Sequence, residues 1–336
     1  MALLKIGKLP PAILESKILS RHGARRNEVL VRPRIGEDCS VVDLGGGLCV
    51  LSTDPITGAT RDLGRLAVHV SCNDVAANGA EPVGILLTIL APPGTPEEEI
   101  AEVMRQVDEI ARTLNIEVLG GHTEVTDAVN RMVVSSTVIG KAVMGRVVTS
   151  SGARPGDEVV LTKTAGVEGT AILAVELKEF LTSRLGEATV QQVRRFSEQI
   201  SVVPEGMIAA GHNATAMHDV TEGGLLGALY EMATASGTGV EVDLPRVPVA
   251  EETRQITTIL GIDPLRLIGS GSMLIATPEG DQLISALREA GVPAARIGRI
   301  VERGFYLMDG ETRHKFGPPE SDELYKALSR AKEGRV

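Results

Sequence analysis

The chain has 336 residues and a formal net charge of −10, from 34 Lys and Arg against 44 Asp and Glu, which argues against a general nucleic-acid-binding protein. Its hydrophobic content of 43% is enough for a sizeable core, and its length is typical of two domains. The longest nearly apolar run, from Val83 to Ala91, is far shorter than the roughly 20 residues that cross a bilayer, and the first residues lack the apolar stretch of a signal peptide. We therefore expect a cytoplasmic protein with no membrane or nucleic-acid partner.

The first half of the chain alternates short β-type runs with longer helical ones. Strands are predicted at residues 40–43, 48–53, 83–90, 117–119 and 132–139. The Ala-, Leu- and Val-rich segment 62–78 predicts a helix that ends at Gly79. Thr95, followed by Pro96 and a glutamate-rich turn, predicts the start of another helix. This alternation is typical of an α/β-type arrangement.

A turn-rich stretch at residues 150–157 predicts a domain boundary, with one domain at 1–152 and a second at 153–336. The second half repeats the alternation, with strands predicted at 158–162, 215–218, 240–244, 272–276 and 297–303. Helices are predicted near 168–180, 186–200, 204–211 and 225–235. The sequence therefore predicts two α+β domains of similar size.

Several acidic residues lie at strand or helix ends, beside Gly, Thr or Asn. They are Asp38, Asp54, Asp74, Glu124 and Asp219. Carboxylate oxygens of this kind suit Mg²⁺, which completes its shell with water and nucleotide phosphates. An aspartate that follows a strand is also a common helix cap or turn residue. Asp74 is the strongest candidate, because a carboxylate inside a helical run of Ala, Val and Asn needs a reason to be there.

Glycine pairs suggest places where the backbone approaches an anion. Gly120-Gly121 follows a predicted strand, Gly223-Gly224 opens a predicted helix, and segment 162–170 runs from a strand into a helix and contains Lys163. Each could equally be an ordinary tight turn. The chain has neither a Gly-x4-Gly-Lys-Ser/Thr phosphate loop nor a Gly-x-Gly-x-x-Gly dinucleotide motif.

Histidines and cysteines give weaker signals. His122 and His218 each lie close to an acidic residue, but no His-x-x-x-His pair is present, so we expect hydrogen-bonded loop histidines rather than a zinc site. The only cysteines, Cys39, Cys49 and Cys72, form no Cys-x-x-Cys pair, which argues against a disulfide framework.

Five segments, taken together and in order, resemble the aminoimidazole-ribotide synthetase (PurM-like) superfamily. They are residues 35–42, 52–55, 64–82 with Asn73-Asp74, Gly120-Gly121-His122-Thr123, and 218–225 with His218-Asp219 and Gly223-Gly224. That superfamily includes thiamine-monophosphate kinase and the hydrogenase-maturation protein HypE. The segment Gly-Ile-Asp-Pro-Leu at 261–265 looks most like the HypE branch.

The resemblance implies a PurM-like two-domain fold. Strands of the N-terminal, ATP-binding domain would pair with those of a second subunit in a homodimer, and a C-terminal α+β domain would close over the site. It implies Mg-ATP, whose terminal phosphate is transferred to a substrate or activates it. Asp38, Asp54, Asp74 and Asp219 fall at metal or phosphate positions, with Asp74, His122 and Asp219 as catalytic candidates. Nucleotide contacts are also expected from Asn73, Gly120, Gly121, Thr123, Lys163, Gly223 and Gly224.

Two departures from the family pattern bear on function. His122 stands where the family has an acidic residue, so the metal site loses a charge unless Glu124 supplies it. The chain ends at residues 331–336 without the terminal cysteine of HypE, and it has no cysteine after Cys72, so we expect that the carbamoyl chemistry of HypE does not run in its usual form.

Three functions stay open at this point. The first is a Mg-dependent ATP-binding enzyme that phosphorylates or activates an unidentified small or protein-bound substrate. The second is a small-molecule kinase of the thiamine-monophosphate type. The third is a non-catalytic nucleotide-binding scaffold that serves a protein partner in a maturation complex.

Overall fold

The computed structural model describes residues 9–21, 23–57, 59, 61–318 and 321–333. Residues 334–336, part of the C-terminal segment 331–336, lie outside this set. The predicted two-domain α+β architecture is confirmed, since the strands form two separate mixed sheets. The predicted boundary at 152 and 153 falls between the last strand of one sheet and the first strand of the other, and it stays a prediction.

The N-terminal sheet has six strands and is antiparallel except for one pair. Its spatial order is β1-β2-β3-β6-β4-β5, and only β4 and β5 are parallel. The strands are β1 (Val29–Val31), β2 (Ser40–Asp43), β3 (Leu48–Ile56), β4 (Ala80–Ala91), β5 (Glu117–Val125) and β6 (Val133–Ala142), and the helices that accompany them are α1 (Pro11–Ile13), α2 (Leu63–Ala77) and α3 (Glu97–Leu114).

Helix α2 is the central element of the molecule. It packs against β3, β4, β6 and α3 on the N-terminal side and contacts the second domain as well. All of its residues except Arg65 and Val70 are buried. A helix that is enclosed on every side carries small and apolar residues around its whole circumference, which explains its run of Ala, Val and Cys. Any charged side chain on its inner turns therefore sits away from bulk water.

The second domain is built on a seven-stranded sheet with helices on it. The spatial order is β13-β12-β9-β11-β7-β10-β8, and only β12 and β9 are parallel. The strands are β7 (Glu158–Thr162), β8 (Ala216–Asp219), β9 (Gly239–Asp243), β10 (Met273–Thr277), β11 (Ala294–Val301), β12 (Phe305–Asp309) and β13 (Thr312–Lys315). The helices are α4 (Val167–Glu176), α5 (Lys178–Leu185), α6 (Glu187–Arg194), α7 (Val203–Gly211), α8 (Gly224–Ser236), α9 (Glu251–Leu260), α10 (Gly280–Glu289) and α11 (Glu323–Lys332).

Some predicted elements need correction. The helix predicted at 168–180 is two helices, α4 and α5, that meet at Leu177, and the helix predicted at 186–200 is α6 followed by a 3-10 turn at Arg195–Gln199. Strand β5 continues past the predicted 117–119 through the glycine pair. No helix among the described residues is long and apolar enough to span a membrane. The cytoplasmic location stays a prediction.

Candidate functional site

Four aspartates from separate parts of the chain converge at the junction of the two domains. Asp54 lies on β3 and Asp74 on α2, while Asp38 precedes β2 and Asp219 ends β8 of the second domain. Burial, together with the charges of Asp219, Asp54 and Asp38, raises the pKa of the Asp74 carboxyl well above its usual range. Ligand atoms of Asp38 and Asp219 lie within 4.8 Å of each other, and Asp54 and Asp74 are close enough for their charges to interact. The structure thus brings together the four side chains that the sequence predicted as metal ligands.

Asp74 is fixed in place by its neighbours. Its side chain is 3% exposed, and its Oδ2 accepts a hydrogen bond from the Ser52 hydroxyl at 2.5 Å. Ser52 and Asp54 lie two residues apart on β3, so both point to the face that α2 covers. The alternation of the strand and the helical position of Asp74 therefore aim these groups at one point.

His218 completes the cluster and was not among the predicted site residues. Single ligand atoms of Asp38, His218 and Asp219 all lie within 4.8 Å of one another. His218 Nδ1 donates a hydrogen bond to the Asp219 carbonyl at 2.8 Å, which leaves Nε2 3.7 Å from Asp38 Oδ2 and 3.3 Å from Glu231 Oε2. Burial opposes protonation of this imidazole, but Asp38, Glu231 and Asp219 outweigh it and raise the pKa of His218 to about 10.

The donor set fits a hard divalent cation. Carboxylate oxygens are the ligands that Mg²⁺ prefers, and the chain offers four of them from two domains. A buried carboxylate held beside three others is costly without a counter-charge. A bound cation would relieve that cost, since among the described residues the His218 imidazole is the one cationic group of the cluster.

Asn73 lies beside Asp74 but both polar groups of its side chain are already engaged. Its Nδ2 donates to the Ile200 carbonyl at 2.7 Å, and its Oδ1 accepts from the Val202 amide at 2.8 Å. These bonds join α2 to the segment that leads into α7 of the second domain. Asn73 therefore ties the domains together at the turn of α2 that carries Asp74.

His122 and its neighbours lie on the edge strand β5. His122 is paired with Thr88 of β4, and both are exposed, whereas Leu87 and Ile89 face the core under α2. Paired residues of adjacent strands point to the same face of a sheet. His122 consequently faces away from α2, and its Nε2 lies 2.9 Å from Glu124 Oε2.

The glycine pair of β5 serves close backbone contact. Gly120 and Gly121 have φ values of 138° and 146°, which favour glycine. A Cβ on Gly121 would lie 1.8 Å from the Leu87 carbonyl oxygen. Thr123 follows on the same exposed strand. This pair lets β5 run along β4, and it presents no helix N-terminus to a phosphate.

Lys163 and Gly223 are engaged within the second domain. The Lys163 Nζ lies 2.6 Å from Glu205 Oε1 and donates to the carbonyls of Ser201 and Gly271. The Gly223 amide, at the start of α8, donates to Asp322 Oδ2 at 2.7 Å. An internal carboxylate therefore occupies the place where a phosphate was expected.

Gly224 also has a structural role. A Cβ there would lie 2.7 Å from the carbonyl oxygens of Leu265 and Leu267, so α8 approaches the 264–267 segment too closely for a side chain. The sequence singled out His218 for its place next to Asp219 but predicted a loop histidine, whereas His218 is buried on β8. Its contact with Glu231, in contrast, depends on how α8 packs against β8.

Comparison with known proteins agrees with the two-domain fold. The family model for the N-terminal domain of AIR synthase related protein matches residues 36–142, and the model for the C-terminal domain matches residues 154–309. The chain is 29% identical over 284 residues to carbamoyl dehydratase HypE of Cupriavidus necator, covering 81% of this chain and 78% of that protein. It is 28% identical over 260 residues to a putative hydrogenase expression/formation protein of Methanocaldococcus jannaschii, covering 75% of each.

Solved structures share the fold at lower identity. A HypE–HypF complex superposes with a TM-score of 0.73 at 22% identity, covering 83% of this chain and 93% of that chain. Hydrogenase maturation protein HypE in complex with ATP has a TM-score of 0.67 at 22% identity, covering 93% and 95%. AaThiL complexed with AMPPCP and TMP has a TM-score of 0.68 at 22% identity, covering 83% and 91%. The chain belongs to the AIR synthase related family, within the PurM-like superfamily that includes HypE and thiamine-monophosphate kinase.

Proposed function

We propose that this protein is a Mg²⁺-dependent enzyme that uses ATP to phosphorylate or activate a small substrate. The observation that carries the proposal is the convergence of Asp38, Asp54, Asp74 and Asp219 at the domain junction, with Asp74 almost fully buried. The similar folds of HypE solved with ATP and of AaThiL solved with AMPPCP and TMP support it. Phosphoryl transfer needs positioning and charge stabilisation more than covalent help from the protein, and a carboxylate cluster suits that task.

Each residue has a distinct part in this proposal. Bound Mg²⁺ would supply the positive charge that offsets the triphosphate. Asp38, Asp54, Asp74 and Asp219 would hold the ion, and the Ser52 hydroxyl orients Asp74. Asn73, Lys163 and the glycine pairs would act through positioning, because their polar groups or backbones are engaged in holding the site together.

The site needs both domains, so their packing is part of the mechanism. Asp54 and Asp74 come from the N-terminal domain and Asp219 from the second. The Asn73 amide spans the junction with bonds to Ile200 and Val202. Loss of these bonds would leave the first two carboxylates correctly placed and the third displaced.

We also propose a homodimer formed through the open face and edge of the N-terminal sheet. Four large apolar side chains on β4 and β5 are between 38% and 59% exposed, namely Val83, Leu86, Leu119 and Val125. Exposed apolar residues clustered on one strand pair are typical of an interaction site. His122 and Glu124 lie on the same edge strand, so a dimer would place them at the interface.

A single charged substitution at the interface tests the dimer. Leu119→Glu should convert the protein from a dimer to a monomer by light scattering, because a buried carboxylate at the interface has no partner. Leu44→Glu, in the turn between β2 and β3 at the other side of the sheet, is the control and should remain dimeric. A monomeric native protein would contradict the proposal.

Turnover can be tested by incubating the protein with Mg-ATP and a panel of small alcohols, phosphate monoesters and carboxamides. Release of inorganic phosphate would indicate substrate activation, and phosphate recovered on the substrate would indicate a kinase. Asp74→Asn should abolish either product, whereas Asp309→Asn, an exposed residue at the end of β12, should not. Binding of Mg-ATP without any turnover would instead favour a scaffold, whose partner could be a maturation protein such as HypF, found with HypE in a solved complex.

A further inference from the structure

A cavity opens at the domain junction beside the first turn of α2, whereas Asp74 lies near the other end of that helix. It has a volume of about 320 Å³ and lies between the start of α2 and the helices α4 and α6. This volume is in the range of small-molecule sites. Arg65 at this end and Asp74 at the other are nine residues apart on α2, which corresponds to about 14 Å along the helix axis. The cavity is therefore separate from the carboxylate cluster but within reach of the same junction.

Four arginines and four acidic residues line the cavity. Arg61 and Arg65 come from the N-terminal domain, and Arg194 and Arg195 come from the second. Arg65 is half-buried and lies 3.6 Å from Glu109. Among the described residues, the side chains of Arg61, Arg194 and Arg195 form no ion pair or hydrogen bond. Guanidinium groups form paired hydrogen bonds with carboxylates and phosphates, and here three have that capacity unused.

Exposed charges of both signs lie at the rim of the cavity, including Arg61 and Arg195. Asp62, Glu176 and Glu198 are all exposed at the rim, where water screens them. Arg65 and Arg194 are half-buried in the wall, so their charges act more strongly on a bound group. The interior therefore favours an anion.

The remaining surface of the cavity is apolar, with one exception. Leu66, Ile172 and Ile200 contribute apolar side chains. Glu168 also lines the cavity, is 7% exposed, and its Oε2 has no hydrogen-bond partner among the described residues. Burial raises the pKa of Glu168, which favours the neutral carboxyl that can donate a hydrogen bond. A ligand with an acceptor atom opposite Glu168 would accept a hydrogen bond from this carboxyl.

We propose that this arginine-walled cavity is the substrate subsite, and that it binds a small molecule with an apolar body and an anionic carboxylate or phosphate group. This assignment rests on the proposed function, because the ligand of the cavity is a substrate only if the protein is an enzyme. The anion would contact Arg61, Arg194 and Arg195, the apolar body would pack on Ile172 and Ile200, and an acceptor would meet Glu168. Because the two domains each supply arginines, a bound anion would also hold them together.

The test uses phenyl phosphate and benzoate as probes of the full-length protein. Binding is followed by the methyl NMR signals of Ile172 and Ile200, with and without Mg²⁺ and AMPPCP. We expect saturable shifts with at least one probe, and the stronger of the two identifies the anion that the cavity prefers. Arg194→Gln and Arg61→Gln should each weaken binding by about tenfold, as expected for loss of a charge-assisted pair. Arg254→Gln, an exposed arginine of α9, and Asp74→Asn should leave it unchanged.

Several outcomes would overturn the proposal. They are no saturable binding of either probe, equal weakening by Arg254→Gln, loss of probe binding in Asp74→Asn, or competitive displacement of the probe by Mg-AMPPCP. The last two would place the probe in the nucleotide site. Probe binding without any Mg-AMPPCP binding would support the cavity and refute the proposed ATP function, and the reverse result would refute the cavity alone.

Discussion

Acidification should weaken this protein through one buried histidine at the domain junction. His69 lies on α2, one turn before Asn73, and is 6% exposed. Burial, with smaller contributions from Arg65 and Lys163, lowers the pKa of His69 to about 4 from 6.5. Its Nδ1 has no hydrogen-bond partner within the described residues, so nothing nearby compensates a proton there.

The direction and size of the stability change follow from the pKa values of His69 in the unfolded and folded chain. The unfolded chain takes up a proton at His69 below pH 6.5, but the folded chain resists it until about pH 4. Stability contributed by neutral His69 is complete at pH 7.5 and falls as the pH drops. Linkage gives a loss of about 2 kcal/mol between pH 7.5 and about pH 5.

Urea unfolding of the native protein and of His69→Leu at the two pH values measures this loss. Other titrating groups are common to both proteins and cancel in the difference. The stability of the native protein relative to His69→Leu should fall by about 2 kcal/mol on going to the lower pH. Parallel losses in both proteins, or an imidazole NMR signal of His69 that titrates near pH 6.5, would refute the reasoning.

Three further substitutions test the contacts around the site. Asp322 accepts hydrogen bonds from three backbone amides, and burial raises its pKa to about 6 from 3.8. The stability of the native protein relative to Asp322→Asn, measured in urea titrations, should therefore fall by about 2 kcal/mol as the pH rises from 4 to 7. A constant difference would contradict this. Gly121→Ala should lower the melting temperature by several degrees in calorimetry, because its Cβ overlaps the Leu87 carbonyl, and an unchanged value would show that β5 can shift freely. Asn73→Ala should lower the free energy of unfolding by about 2 kcal/mol in chemical denaturation and weaken Mg-ATP binding, because it leaves two buried backbone groups unpaired. Native-like stability would rule out a role of Asn73 in joining the two domains.

The sequence was sufficient for the elements that carry local patterns. Helix α2 was predicted because small and apolar residues run between a turn and Gly79, and the structure confirms it as Leu63–Ala77. The family motifs identified Asp38, Asp54, Asp74 and Asp219, and these do converge. The full length of β5 was missed, because glycine pairs usually interrupt strands and only the neighbouring backbone of β4 makes them favourable here.

What could not be predicted depends on residues far apart in the chain. Lys163 was expected at the nucleotide, but its partner Glu205 lies on α7, a later element of the second domain. The Gly223 amide was expected at a phosphate, but Asp322, from beyond the last strand, reaches it. A motif identifies residues that can do chemistry, whereas the packing decides which of them are already occupied.

Calorimetric titration of AMPPCP into the protein, with and without Mg²⁺, tests the central claim most directly. We predict Mg²⁺-dependent binding that Asp74→Asn abolishes and Asp309→Asn retains, because only the first carboxyl belongs to the cluster at the domain junction. Absence of binding by the native protein, or equal binding by Asp74→Asn, would contradict the assignment of the four aspartates to a Mg-ATP site.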